Sequence, residues 1–296
     1  MPQSQPLRPR RSVLYMPGAN QRAMAKARTL AADGIILDLE DAVAPDAKAQ
    51  ARGYVAAAVA VGGYQPREVL IRINPLDSPW GLDDLAMAAS LPIDGLVVPK
   101  IESAEMVNDV ARRLAEHGSE DLPIWAMVET PIAVMRIADI ALNARNLGCL
   151  LMGTSDLSKE LRLPHDAQVA GLMWSLAQAV VAARAAGVDV IDGVHLDIQD
   201  ADGFKSACQR ARAYGFDGKS LIHPSQIEVA NKTFGPSAAD VEHAGRVQAA
   251  HADAIARDSG VAVLDGKLVE NLHVDMAERT LAVHQAIEAL VAAREN

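Results

Sequence analysis

The chain has 296 residues, half of them apolar and only 3% aromatic, and a formal net charge of -10. That is enough chain for one large core plus an appendage, while the acidic balance argues against general affinity for nucleic acid or an anionic membrane surface. Two cysteines, Cys149 and Cys208, give no disulfide framework, and no apolar run reaches the roughly 20 residues of a membrane-spanning helix, so the expectation is a cytoplasmic protein acting on a small molecule.

The opening MPQSQPLRPRR is basic but has no apolar signal core and reads as a flexible lead-in. From there, short β-rich runs are predicted at 12–16, 35–39, 69–73, 95–98, 124–128, 147–152, 188–191 and 218–222. Several, such as IILDL and LIRI, are nearly continuous in apolar residues, as strands covered on both faces must be. Between them, stretches such as 21–32, 47–61, 103–117 and 167–186 repeat apolar residues every three or four positions and suit right-handed helical crossovers.

Eight such units predict the α/β class and a closed (β/α)8 TIM barrel over residues 1–235, with a doubly wound open sheet as the rival. Beyond Pro236 the pattern changes. A charged helix over 238–257, a VAVL-DG-KLV hairpin turned by Asp265 and Gly266 and a final amphipathic helix form a C-terminal extension, 236–296. In that last helix, Met276, Leu281, Val283, Ile287 and Leu290 are read mainly on one side.

Barrel chemistry sits at the C-terminal ends of the strands. Those ends carry Asp38, Glu40 and Asp41, then Arg72 and Asn74, Lys100, Glu129, Asp156, Asp192 and His223. Any one of them can be a helix cap or a solvated strand end; the set as a whole points to one reactive mouth.

Glu129 and Asp156 come from adjacent strands and suit one hard cation, Mg²⁺, with water and substrate completing its shell. Glu40 and Asp41 can hold metal waters, while Asp38 or Asp41 can pair with Lys100. The planar guanidinium of Arg72 suits a carboxylate or a developing enolate oxygen, with an ion pair to Glu40 as its structural alternative. Two glycine turns, PGAN at 17–20 and MGTSDLS at 152–158, can present N–H groups to an anion. Arg10, Arg11, Arg22 and Lys26 are read as local positive charge near the first of these turns.

The motifs RSVLYMPGAN, ILDLEDAV, LIRINPLDSPWGLDDL, GLVVPKIESAEMV, AMVETPIAV, LLMGTSDLSKEL, GFDGKSLIHPSQI and LDGKLVENLHV together resemble the citrate lyase beta-subunit-like CoA ester lyases. That group includes malyl-CoA and citramalyl-CoA lyases, within the HpcH/HpaI aldolase superfamily. The resemblance implies a homotrimer, Mg²⁺ on Glu129 and Asp156, and Arg72 on the substrate beside Glu40 and Asp41. It also implies a coenzyme A site formed by Pro17, Gly18, Asn20, Lys26, Ile222, His223 and Pro224.

A catalytic Asp reaches from a neighbouring subunit's C-terminal segment in relatives; the matching residue here is Glu270, without the proline that often follows. VHLD at 194–197 also departs from the pattern and brings in His195, which either shapes the pocket or is an ordinary packed histidine. The implied activity is retro-Claisen cleavage of a 3-hydroxyacyl-CoA to an acyl-CoA and a 2-oxo acid, glyoxylate or pyruvate. Alternatives are malyl-CoA thioester hydrolysis at the same site, a citrate lyase beta subunit working with a carrier protein, and a non-enzymatic CoA-binding scaffold.

Overall fold

The computed structural model describes residues 7–164, 168–257 and 261–295. Most of the predicted lead-in, residues 1–6, and position 167 of a predicted helix fall outside these. Two compact units are present, one spanning Arg10–Ala230 and the other containing the chain from Asn231 onward together with the residues up to Pro9.

In the first unit the apolar runs form β1 (Ser12–Pro17), β2 (Gly34–Asp38), β3 (Glu68–Arg72), β4 (Gly95–Val98), β5 (Ile124–Val128), β6 (Leu147–Met152), β7 (Asp189–Asp192) and β8 (Gly218–Leu221). They pair in chain order, and β8 returns to β1 to close the barrel. Each pairing is parallel, so each connection must cross back along the outside. The crossovers carry α1 (Gln21–Ala27), α2 (Lys48–Val61), α3 (Gly81–Ala89), α4 (Ala104–Glu116), α5 (Pro131–Met135), α6 (Ile137–Asn143), α7 (Thr154–Glu160), α8 (Gln168–Ala186) and α9 (Ala201–Tyr214), with α10 (Ile227–Phe234) after β8.

Strand periodicity sorts the side chains. Val13, Ile36, Leu70, Val97, Trp125, Met127, Cys149, Leu151 and Ile191 fill the interior, at two-residue spacing where a strand contributes two of them. Both cysteines are free and buried, and burial pushes their thiols up, Cys208 to about 11; they are inert packing groups. Helix starts are fixed by local caps: Ser103 accepts from Met106 N–H, Thr130 from Ala133 and Asp200 from Gly203. Gly215 ends α9 in the left-handed conformation, φ 100°.

At the N-terminal end, Arg10 bonds Glu68 twice, at 2.7 and 2.9 Å, reaches Asp189 at 2.8 Å and stacks over Trp125. Beside it, Arg11 grips Asp33 with Nε and Nη2, both at 2.8 Å. These two arginines are therefore not positive charge for the first turn, as their sequence position suggested. Being N-terminal to β1, they are committed to sealing the opposite end of the barrel.

The second unit holds α11 (Ala238–Ala256), the β9 (Ala262–Leu264) and β10 (Lys267–Val269) hairpin and α12 (Asn271–Glu295). Positive φ at Asp265 and Gly266 makes the two-residue turn. Ala244, Val247, Val274 and Ala277 pack with Leu264, Val269 and Leu281. Met276 is exposed, because Val274 and Ala277 take the inward positions of that turn. Among the described residues no helix is long and apolar enough to cross a membrane.

Candidate active site

The register of β2 and β3 puts Asp38 opposite Arg72 at the C-terminal ends of their strands. Asp38 accepts from Arg72 Nε and Nη2, both at 2.7 Å, and from the backbone N–H groups of Glu40 and Ala42 at 2.9 and 3.1 Å. A buried carboxylate with four donors is fully satisfied, so Asp38 is the clamp on Arg72 and not a partner of Lys100. The guanidinium also lies 4.8 Å from the centre of the Tyr15 ring, and Tyr15 is an interior residue two positions after Val13. This platform was missed in the sequence, although the two-residue parity of β1 would have found it.

Arg72 Nη1 is 2.8 Å from Glu40 Oε2 and 3.3 Å from Asp41 Oδ2. Glu40 is buried and Asp41 largely exposed. Burial works against the Arg72 charge, but Asp38, Tyr15 and Glu40 outweigh it and hold the guanidinium well above its ordinary value. Glu40 is shifted up, first by burial, which outweighs Arg72, and then by Asp41. Lys48, buried beneath this loop, donates to the carbonyls of Leu39 and Glu40 at 3.0 Å each and fixes the backbone carrying both acids.

Glu129 follows β5 and is almost completely buried. Its Oε1 accepts the Lys100 backbone N–H at 2.7 Å. Its Oε2 faces Gly153, where a Cβ would lie only 2.4 Å away; glycine is required there to make room for the carboxylate. Burial and then Glu40 push Glu129 up to about 7; the Lys100 N–H works against that rise and Asp156 adds to it. Asp156 sits in the first turn of α7, directly after β6.

Lys100 adopts φ 52°, a left-handed conformation unusual for a residue with a side chain. Its ammonium reaches Glu40 Oε1 at 3.5 Å and is 44% exposed. Burial lowers its pKa, but Glu40, Glu129, Asp156 and Asp41 more than compensate, so the group stays charged.

Around β1 and β8, Pro17 ends β1 and Gly18 donates to Asp38 O at 2.8 Å, an approach that a Cβ would block at 2.7 Å. Asn20 caps α1 through Ala23 N–H, and Lys26 lies in the last turn of that helix. Arg22 and Lys26 are both exposed. On β8's side, Ile222 and His223 donate backbone N–H groups to Gln226 Oε1, His223 Nδ1 meets Ser225, and Pro224 starts a short 3-10 turn. Since β1 and β8 are neighbours, these two groups share one sector of the rim.

Three other residues picked from the sequence have local partners of their own. Asp192 ion-pairs with buried Lys219. His195 packs against Phe204, 5.8 Å between ring centres, and burial followed by Lys219 lowers its pKa, as in a packed histidine. Glu270, in the second unit, is exposed; its carbonyl accepts from His273 and Val274 N–H, and its own N–H donates to His273 Nδ1.

Among the described residues, no group of three or more His, Cys, Asp or Glu side chains is arranged to hold a metal ion. Glu129 and Asp156 each offer hard carboxylate oxygens, the donor type that suits a cation keeping most of its waters.

The family described as HpcH/HpaI aldolase/citrate lyase matches residues 11–224. A (3S)-malyl-CoA thioesterase of Cereibacter sphaeroides (strain ATCC 17025) is 44% identical over 281 residues, covering 95% of this chain and 96% of that one. The citrate lyase subunit beta of Escherichia coli K12 is 34% identical over 289 residues, 95% of each. Among solved structures, CitE from Mycobacterium tuberculosis in complex with magnesium, acetoacetate and coenzyme A superposes with a TM-score of 0.73 at 29% identity, covering 93% of this chain and 97% of that one.

Proposed function

From the premise that the chain belongs to the HpcH/HpaI aldolase/citrate lyase family, we propose that it is a magnesium-dependent CoA ester lyase. Its substrate is a 3-hydroxyacyl-CoA carrying a carboxylate, of the malyl-CoA or citramalyl-CoA type, cleaved reversibly to an acyl-CoA and a 2-oxo acid. The observation that carries the reading is the buried Arg72, locked by Asp38 and facing Glu40 beside the Glu129–Asp156 pair.

Glu129 and Asp156 would hold the metal, and Glu129 is raised by burial and then by Glu40, both of which a bound cation would offset. Bound there, Mg²⁺ would supply Lewis acidity to the substrate's oxygens. Arg72 is already ordered on Tyr15 and Asp38 and offers fixed positive charge to the thioester oxygen as the carbon–carbon bond breaks and an enolate forms. Glu40 and Asp41 orient water around this charge.

Pro17, Gly18, Asn20 and Lys26, with Ile222, His223 and Pro224, form the cradle for coenzyme A in the β1–β8 sector. Glu270, from a neighbouring subunit of a homotrimer, protonates the enolate carbon. Replacing Glu270→Gln is expected to lower kcat by about 10²-fold or more with Mg²⁺ binding unchanged; full activity in that variant would remove it from the mechanism.

A second reading, hydrolysis of the malyl-CoA thioester at the same site, is favoured by the names of the relatives at 43–44% identity. Purified protein incubated with Mg²⁺ and malyl-CoA separates the two. Acetyl-CoA with glyoxylate means lyase, free CoA with malate means hydrolase, and malyl-CoA and citramalyl-CoA both left untouched in the presence of Mg²⁺ defeat both.

A further inference from the structure

Two cations meet the acids at the mouth of the barrel, and they are held very differently. Arg72 is nearly buried, doubly bonded to Asp38 and stacked on Tyr15; its guanidinium has no freedom to turn. Lys100 is anchored at its backbone instead. Its left-handed φ of 52° directs the N–H onto Glu129 Oε1, so the residue cannot shift without releasing a carboxylate we assign to the metal.

The side chain beyond that anchor is held by one long ion pair. It is 44% exposed and reaches Glu40 Oε1 only at 3.5 Å, longer than a charge-assisted hydrogen bond of about 2.7–2.9 Å. A sparsely populated backbone conformation retained at a cleft is a cue to function. Here it sets a rigid pivot under a movable ammonium group.

We propose that Lys100 is a substrate-binding residue whose ammonium leaves Glu40 to hold a carboxylate of the substrate. This rests on the reading above. In the free protein the same ammonium stands among Glu40, Glu129 and Asp156 and opposes an incoming divalent cation; in the complex it offsets the charge that the substrate brings. One residue therefore acts in opposite senses on metal and on substrate.

The test is Lys100→Met, with Lys100→Arg as the rescue and Lys100→Gly as the variant that keeps the N–H and relieves the backbone. Calorimetry with Mg²⁺ alone is expected to show about three- to tenfold tighter binding in Lys100→Met, since a nearby positive charge is gone. Steady-state kinetics with malyl-CoA is expected to show KM raised about 10- to 100-fold, the loss of one charge-assisted bond, with a smaller change in kcat. Lys100→Arg should return both quantities toward wild type.

Lys100→Gly should reproduce the Met pattern if only the ammonium matters, and it serves in place of Met should that variant fail to fold. Weakening of both Mg²⁺ and substrate would make Lys100 a structural strut and overturn the proposal, as would no change in either. Wild-type protein that binds no Mg²⁺ and leaves malyl-CoA and citramalyl-CoA intact would sink the parent reading. Wild type active with variants indistinguishable from it would sink the Lys100 assignment alone.

Discussion

The two ends of the barrel are built from the same kinds of residue, and at both the acids outnumber the cations, narrowly at one and widely at the other. At the N-terminal end Arg10 and Arg11 meet Glu68, Asp189 and Asp33 in short, mostly buried pairs. At the C-terminal end Asp38, Glu40, Asp41, Glu129 and Asp156 outnumber Arg72 and Lys100 in their cluster, and Glu129 is shifted up to about 7, first by burial and then by the neighbouring Glu40. Acids paired within the chain serve stability; a larger excess at a barrel mouth is a cue to ligand binding.

The largest test of this contrast is at the mouth. Glu129→Gln combined with Asp156→Asn should reduce Mg²⁺-dependent kcat/KM by about 10³-fold or more while leaving the urea midpoint unchanged or raised; a variant with near-normal turnover would break the comparison. Next, Arg72→Lys keeps the charge but loses the two-toothed grip on Asp38, and about a 10²-fold loss in kcat is expected, read by steady-state kinetics at saturating substrate.

At the sealed end the sign of the effect should reverse. Arg10→Met leaves Glu68 buried without its counter-charge and should cost about 3–5 kcal/mol of unfolding free energy, measured by urea denaturation, with kcat/KM per folded molecule close to wild type. The smallest effect is in pH. Glu129 titrates near 7 in the folded chain against an ordinary 4.5, so a proton competes with Mg²⁺ below neutrality, and apparent affinity should fall by about tenfold per unit as pH drops below 7.

The same shift fixes the sign for stability of the metal-free protein. A carboxyl raised on folding favours the native state below pH 4.5, and that contribution is lost as pH rises through about 7. Melting temperatures with and without Mg²⁺ should therefore diverge between pH 6 and 8, and parallel curves would place the titration elsewhere.

Much of this was readable in the sequence. The runs at 95–98, 124–128 and 147–152 coincide with β4, β5 and β6, and others such as β2 and β7 are displaced by one residue, because strand pairing and not hydropathy decides where a ladder stops. The helix read over 21–32 ends at Ala27, and the stretch after Thr130 divides into α5 and α6 at Arg136, breaks that apolar spacing does not register. Asp38, Glu40, Arg72, Lys100 and Glu129 were legible as a group because strand order forces them onto one rim.

Their partnerships were not legible. Whether Asp38 meets Arg72 or Lys100 depends on a register that only the closed barrel fixes. The fate of Arg10 depends on residues far along the chain, and the role of Lys100 depends on a single backbone dihedral.

That far-reaching arginine has a kinetic consequence. Its side chain joins Glu68, Gly148 and Asp189, which lie 58, 138 and 179 positions further along. Bringing such distant segments together sacrifices chain entropy before any contact repays it, which slows folding. The complete knot can form only once β7 is in place, so this arginine ties the first strand to one far along the chain.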